Sequence, residues 1–149
     1  MSFKQKVYDH YLSLVNGRVL HLQKILADIT ESAANETKST AGDKHETALA
    51  MLQIEQANTG GQLQNALAQQ SDLAKINPTQ RVSVIVPGSL IKTSRGYLFL
   101  SAALGKAIID ELPVMALSPQ SPLGKLLAGL RAGDATSING ITYLIEAVE

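Results

Sequence analysis

Asp43 and Glu46 are the residues of this chain whose types and spacing best suit chemistry. They are three positions apart where a helical pattern begins, so we expect both carboxylates on one face of a helix. Carboxylate oxygens are hard ligands of the kind that Mg²⁺ prefers, but two of them hold the ion only weakly unless a partner supplies more. The spacing also fits a structural role, with Asp43 as helix cap and Glu46 as its capping-box partner. The two interpretations are compatible, because a cap can also be a ligand.

Other signals of an enzyme are missing from the sequence. There is no cysteine, which removes thiolate nucleophiles and thiolate metal sites, and there is no Gly-rich phosphate loop, Gly-x-Ser-x-Gly or His-Glu-x-x-His motif. His10 and His21 are eleven residues apart and could share a helix face, where we interpret them as solvated surface residues. We therefore expect no catalytic centre belonging to this chain alone.

The charge balance limits the partners. Thirteen Lys and Arg residues match 13 Asp and Glu residues, whereas a protein that binds nucleic acid by its own field needs a basic excess. No apolar run approaches the roughly 20 residues of a membrane span, and residues 1–6 lack the apolar core of a signal peptide. We therefore expect a cytoplasmic protein with no membrane partner, which acts on nucleic acid only indirectly.

The distribution of proline divides the chain. All five prolines lie in residues 77–149, and proline is strongly disfavoured inside helices. We therefore predict two domains, a helical hairpin at 1–76 and a mixed domain at 77–149. The border contains the turn-like sequence Ile76-Asn77-Pro78.

A heptad pattern predicts that the first domain is an antiparallel coiled-coil hairpin. The apolar residues of its first helix follow the 4-3 spacing of a coiled-coil seam. They are Tyr8, Leu12, Val15, Val19, Leu22, Leu26, Ile29 and Ala33. Ser, Thr, Asn and Gly residues interrupt the pattern near 35–42, and a second helical stretch follows at about 43–74, so we place the tip at 35–46. We expect a monomer, with a dimeric coiled coil as the alternative.

The second domain is predicted to be a small, mostly antiparallel sheet with one short helix. Ser121 and Pro122 suit the N-cap and first position of a helix that would extend through Leu130. The strand-like segments are 81–86, 90–93, 97–100, 106–109, 114–117 and 141–148. Together the two domains make an α+β chain.

The order of these motifs resembles the bacterial Gre transcript-cleavage factors, GreA and GreB. The tip motif in this chain is Gly42-Asp43-Lys44-His45-Glu46-Thr47-Ala48, at the position where that family carries it. The second domain is similar to their FKBP-like C-terminal domain. The matching residues are Ser121-Pro122-Leu123, Leu127, Gly129, Gly133-Asp134 and the closing strand at 141–148.

This resemblance implies a function and a role for each motif. The C-terminal domain would dock on RNA polymerase at the mouth of its secondary channel, through Ser121, Pro122 and Leu123. The hairpin would enter the channel, where Asp43 and Glu46 would help to hold a Mg²⁺ ion of the polymerase. The polymerase itself would then cut the backtracked RNA by two-metal chemistry. The chain would be an accessory factor with no cofactor of its own.

A non-cleaving regulator of the same architecture is the alternative. Leu49 and Ala50 stand where a typical family member has an acidic and an aromatic residue. Such a protein would bind polymerase, or another protein, without stimulating cleavage.

Overall fold

Two long helices precede a small sheet. This computed structural model describes residues 1–37 and 42–149, with the side chains of 37 and 42–45 outside the description. The helices are α1 (Phe3–Thr37) and α2 (Gly42–Ala74). The remaining elements, in chain order, are β1 (Leu90–Thr93), β2 (Gly96–Leu100), β3 (Gly105–Ile109), β4 (Leu112–Leu117), α3 (Pro122–Leu127), β5 (Ala135–Ile138) and β6 (Ile141–Val148). The predicted architecture, a helical hairpin followed by a sheet domain with one short helix, is confirmed.

The contacts group the chain into two compact units. One unit combines Met1–Ser13 with Ser71–Glu149, so it contains the first turns of α1, the end of α2 and the whole sheet. The other unit is Leu14–Gln70, which holds the rest of both helices. The base of the hairpin therefore belongs to the same unit as the sheet.

The sheet has six strands in the order β3-β4-β2-β1-β6-β5. Most neighbouring strands are antiparallel, but β2 and β4 run parallel, with Tyr97 opposite Val114. This makes the sheet mixed, and the reason is the path of the chain. Strand β3 runs opposite to β2 at the sheet edge, and the two-residue turn Asp110-Glu111 then reverses the chain. Strand β4 fills the gap between them and so runs in the direction of β2.

Both faces of the sheet are covered within the first unit. On one face Leu98, Ile145 and their neighbours pack with Leu127 of α3 in an apolar core. Alternate residues of a strand point to the opposite face. There the Phe99 ring stacks on Tyr11 of α1, with ring centroids 6.1 Å apart. The first turns of α1 thus help to cover the second face of the sheet.

The prediction of a strand at 81–86 is wrong. Of these six described residues, Val84 makes one isolated bridge, with Arg131. Ile85 donates its N–H to Leu130 O and accepts from Gly129 N–H, so the segment pairs with the chain that leaves α3. The apolar run was misleading because only Ile85, 1% exposed, is fully buried, whereas Val86 is 40% exposed.

Helix α3 is shorter than predicted, and one strand was missed. The helix ends at Leu127 because Ala128 has an extended ψ of 128° and Gly129 a positive φ of 84°. The missed strand, β5, pairs with β6 through the turn Asn139-Gly140, whose positive φ values suit a tight hairpin. Its sequence, Ala-Thr-Ser-Ile, carries little apolar signal. The other strands agree with the predicted ranges to within two residues.

No helix in the described part of the chain is both long and apolar enough to cross a membrane.

Candidate functional site

The two acidic residues lie in the first turns of α2. The helix begins at Gly42, so Asp43 is its second residue and Glu46 follows about one turn later on the same face. The prediction that Asp43 caps this helix concerns a side chain outside the description. Negative charge in the first turn is favourable because the helix N-terminus is the positive end of its dipole. The side chain of Asp43 is outside the description, and that of Glu46 is exposed.

The donor chemistry of this pair fits part of a magnesium site. Both residues are of the type whose oxygens bind Mg²⁺, and the exposure of Glu46 leaves its oxygens open to an ion that approaches from outside. Among the residues that the structure describes, no group of three or more His, Cys, Asp and Glu side chains could hold a metal ion.

The predicted seam of α1 is the buried side of that helix. Val15, Val19 and Ile29 are 0%, 5% and 8% exposed, and the other predicted seam residues are half-buried. On the other side of the helix the exposed positions are mainly polar or charged. The 4-3 spacing therefore identified the buried stripe correctly.

The seam of α2 contains polar as well as apolar residues. Its residues also follow 4-3 spacing, and each is buried or half-buried. They are Leu52, Gln56, Thr59, Leu63, Ala66, Gln70 and Leu73. Gln56, Thr59 and Gln70 carry no apolar signal, because their side chains are polar. The heptad spacing, taken without regard to polarity, is the signal that would have found them.

Two of these polar residues bond to α1 and fix the pairing of the helices. Gln70 Nε2 donates to Asn16 Oδ1 at 2.8 Å, and Gln56 Nε2 donates to Thr30 Oγ1 at 3.3 Å. The two partners are 14 residues apart on each helix, which is two heptads. One antiparallel alignment therefore accounts for both bonds, as predicted for a coiled-coil hairpin.

The base of the hairpin is attached to the sheet by residues that the sequence did not single out. The Tyr11 hydroxyl donates towards Gly105 O at 2.8 Å and is 3.3 Å from Val114 O. Lys4 is 4% exposed, and its Nζ donates to Gln80 O at 2.7 Å. In the sequence, these residues could have been found from a second stripe at helical spacing on α1, beside the seam. The stripe consists of Lys4, Val7 and Tyr11.

Burial shifts the pKa of both polar groups at this base. It lowers the pKa of Lys4, an effect that the Glu149 carboxylate partly opposes. It raises the pKa of the Tyr11 phenol, partly opposed by a backbone hydrogen bond to Ala116. In both cases burial disfavours the charged form of the side chain.

Ser121, Pro122 and Leu123 form the start of α3. The Ser121 hydroxyl accepts from Gly124 N–H at 3.0 Å and donates to Ser118 O at 2.6 Å, and Pro122 occupies the first turn. Leu123 is half-buried against the apolar core. The predicted helix start is thus confirmed, and these contacts give the three residues a structural role, whatever they bind.

The chain is similar in fold to a known transcription factor. No family model and no curated protein sequence matches the chain. A solved structure described as that of the transcription factor Gfh1 matches over 92% of both chains, with 18% sequence identity and a TM-score of 0.39. A TM-score at this level is too low to support an inference about this chain.

Proposed function

We propose that this chain is a Gre-like transcription factor that binds RNA polymerase and stimulates the cleavage of backtracked RNA. One observation carries the proposal: two antiparallel helices of 35 and 33 residues hold an acidic pair in the first turns of the second helix. Helices of 35 residues extend about 50 Å at 1.5 Å per residue, so the pair lies far along the hairpin from its base. Such a geometry suits the delivery of carboxylates into a narrow channel.

The sheet domain would dock at the mouth of the secondary channel of the polymerase. Ser121, Pro122 and Leu123, at the start of α3, are the proposed docking residues. Their rigidity supports this role, because the cap and the core contact of Leu123 fix the backbone of this segment before any partner is met.

Asp43 and Glu46 would act by binding and orientation. Their carboxylates would contribute ligands to a Mg²⁺ ion that the polymerase also holds. When bound, such an ion stabilises the charge that develops in phosphodiester hydrolysis and lowers the pKa of a bound water. Glu46 is exposed and so reaches this ion without rearrangement of the hairpin. The chain remains an accessory factor, since the catalytic centre would belong to the polymerase.

The test is cleavage of RNA in a stalled elongation complex. Wild-type protein should accelerate cleavage. The double variant, Asp43→Asn combined with Glu46→Gln, should not accelerate cleavage but should still bind polymerase in a pull-down. Glu55→Gln is the matched control, because Glu55 is an exposed acid on the same helix, more than two turns beyond Glu46. Undiminished cleavage by the double variant would contradict the proposal.

A non-cleaving regulator is the second candidate. Leu49 is half-buried and Ala50 exposed just beyond the acidic pair, and neither offers a polar group to the proposed site. Polymerase binding without stimulated cleavage by the wild-type chain would select this candidate. Failure of the wild-type chain to bind polymerase would exclude both.

A further inference from the structure

Lys4 is a buried cation that forms no ion pair with any residue that the structure describes. The residue is 4% exposed. Its ammonium group has three N–H donors, and among the described residues a single acceptor, Gln80 O at 2.7 Å, bonds to Nζ. A lysine is almost never fully buried in a protein unless an opposite charge pairs with it, because burial of an unpaired charge is costly. The remaining donors of Lys4 are therefore available to an acceptor from outside the chain.

A cavity of about 320 Å³ lies against Lys4, within the unit that contains the sheet. Its wall combines the start of α1 with Arg81 and Glu149. The Arg81 side chain is exposed, and it makes no hydrogen bond or ion pair within the described part of the chain. The start of α1 is the positive end of the dipole of a 35-residue helix. Two cationic side chains and this helix end thus border the same cavity.

Glu149 neutralises only part of this positive charge. Burial lowers the pKa of Lys4, and the attraction of the Glu149 carboxylate opposes this effect without outweighing it. Glu149 forms an ion pair with neither Lys4 nor Arg81. An anion that enters the cavity would therefore bind to both cations without the loss of an existing ion pair.

We infer that this cavity binds the phosphate group of a small molecule, between the Lys4 ammonium and the Arg81 guanidinium. The guanidinium is a planar fork of donors that suits phosphate oxygens, and the ammonium binds phosphate as a point charge. Two cations suit a phosphate dianion better than a carboxylate, which carries one charge. The volume lies at the lower end of the range of about 300–1,000 Å³ that is typical of small-molecule sites. A nucleic acid is a poorer occupant, because its binding needs a basic excess that the chain lacks.

The test measures the binding of inorganic phosphate and of pyrophosphate to the isolated chain by isothermal titration calorimetry. The ionic strength is held constant with NaCl, so that a change in screening is not mistaken for binding. Arg81→Gln removes one cation and no bond within the described chain. Arg18→Gln is the matched control, because Arg18 is an exposed arginine of α1 that does not line the cavity. We expect binding at one site, which Arg81→Gln weakens about tenfold or more through loss of a charge-assisted hydrogen bond. Arg18→Gln should bind like the wild type.

A second variant tests the buried cation. Lys4→Met removes the ammonium and keeps an apolar stem, so it should abolish binding of both probes. The substitution also removes the bond to Gln80 O, so its folding is checked by circular dichroism. If it does not fold, Arg81→Gln alone decides the outcome. In the wild type, both probes should raise the midpoint of thermal unfolding, because a ligand that binds only the folded state stabilises it. The rise should be smaller in Arg81→Gln.

Three results would overturn the inference. One is unchanged affinity of Arg81→Gln, or an equal loss of affinity in Arg18→Gln. Another is the absence of binding of both phosphate probes to the wild type. The third is tighter binding of a short RNA than of pyrophosphate, with the same dependence on Arg81, which would make nucleic acid the ligand. All of these measurements use the isolated chain, so their failure would leave the proposed binding to polymerase intact.

Discussion

Replacement of Gly124 by alanine gives a prediction whose sign follows from the structure. An alanine Cβ at this position in α3 would lie 2.2 Å from Ser118 O, 2.9 Å from Ser121 Oγ and 3.1 Å from the carbonyl carbon of Pro119. Two of these atoms belong to the backbone, so no side-chain rotation relieves the overlap. The substitution must therefore displace the chain at the start of the helix.

The cost follows from the hydrogen bonds at that point. Ser118 O accepts from Ser121 N at 3.0 Å and from Ser121 Oγ at 2.6 Å, and Ser121 Oγ accepts from Gly124 N at 3.0 Å. Loss of these three bonds costs about 2–4 kcal/mol, at about 1 kcal/mol each. Alanine recovers about 1 kcal/mol through its higher helix propensity. We therefore expect Gly124→Ala to destabilise the protein by about 1–3 kcal/mol, since the lost bonds outweigh the gain in propensity.

Gly17 provides the matched control. It is an exposed residue inside α1, and a Cβ there would meet nothing within 4 Å. Gly17→Ala should therefore stabilise its helix by about 0.5–1 kcal/mol. Urea denaturation followed by far-ultraviolet circular dichroism measures both changes. Hydrogen exchange at the Ala128 amide, which donates to Gly124 O at 3.2 Å, reports α3 alone. A Gly124→Ala protein as stable as wild type, with unchanged exchange, would refute the steric argument.

Three further predictions concern stability, each measured by urea denaturation. Ser121→Ala should cost about 1 kcal/mol through loss of the α3 cap, and Ser121→Asp should restore most of it. Glu111→Gly should stabilise by about 0.5–1 kcal/mol, because Glu111 has a positive φ of 65° that glycine adopts freely; a less stable variant would contradict this. Burial raises the pKa of the Tyr11 hydroxyl above 10.0. The contribution of this hydroxyl to the free energy of unfolding is therefore complete below about pH 10 and is lost as the pH rises towards the raised pKa. The stability difference between wild type and Tyr11→Phe should therefore narrow above about pH 10, and a constant difference would refute the assignment.

Local patterns in the sequence were enough to predict most elements. The seam from Tyr8 to Ala33 has a period that only a long paired helix satisfies, and Gly17 does not interrupt α1 because it lies on the exposed side. The predicted strands at 90–93 and 141–148 coincide with β1 and β6. In each case the signal lies within a few residues of the feature.

Features that depend on distant contacts could not be predicted in this way. The parallel pairing of β2 with β4 follows from the order of strands across the sheet, which no short window contains. The segment 81–86 has a strand-like composition, but its partner is the irregular chain after α3. Similarly, burial of Lys4 reflects a bond to Gln80, far along the chain. Tertiary context determined the outcome at all three places.

In the candidate site, too, the local features could be predicted from the sequence and the contacts with a partner could not. The spacing of Asp43 and Glu46 correctly placed both at the start of a helix, because that placement depends on α2 alone. The capping role of Asp43 depends on a side chain outside the description and stays a prediction. Ser121 was predicted as an N-cap from its own short motif, and its hydrogen bond to Gly124 N–H agrees. What Ser121 binds outside the chain is a property of a partner and stays a prediction.

The polar residues in the α2 seam influence how α1 and α2 are aligned, and this alignment determines where the acidic pair lies. A leucine at Gln56 or Gln70 would bury more apolar surface, but apolar seams allow helices to slide by one heptad at little cost. A slide of seven residues would move α2 about 10 Å along α1 and break both bonds, Gln56 to Thr30 and Gln70 to Asn16. These two bonds therefore favour the observed alignment over one shifted by a heptad. Glu46 lies on the same helix ten residues before Gln56, so the alignment that they select also determines how far along the hairpin its carboxylate lies.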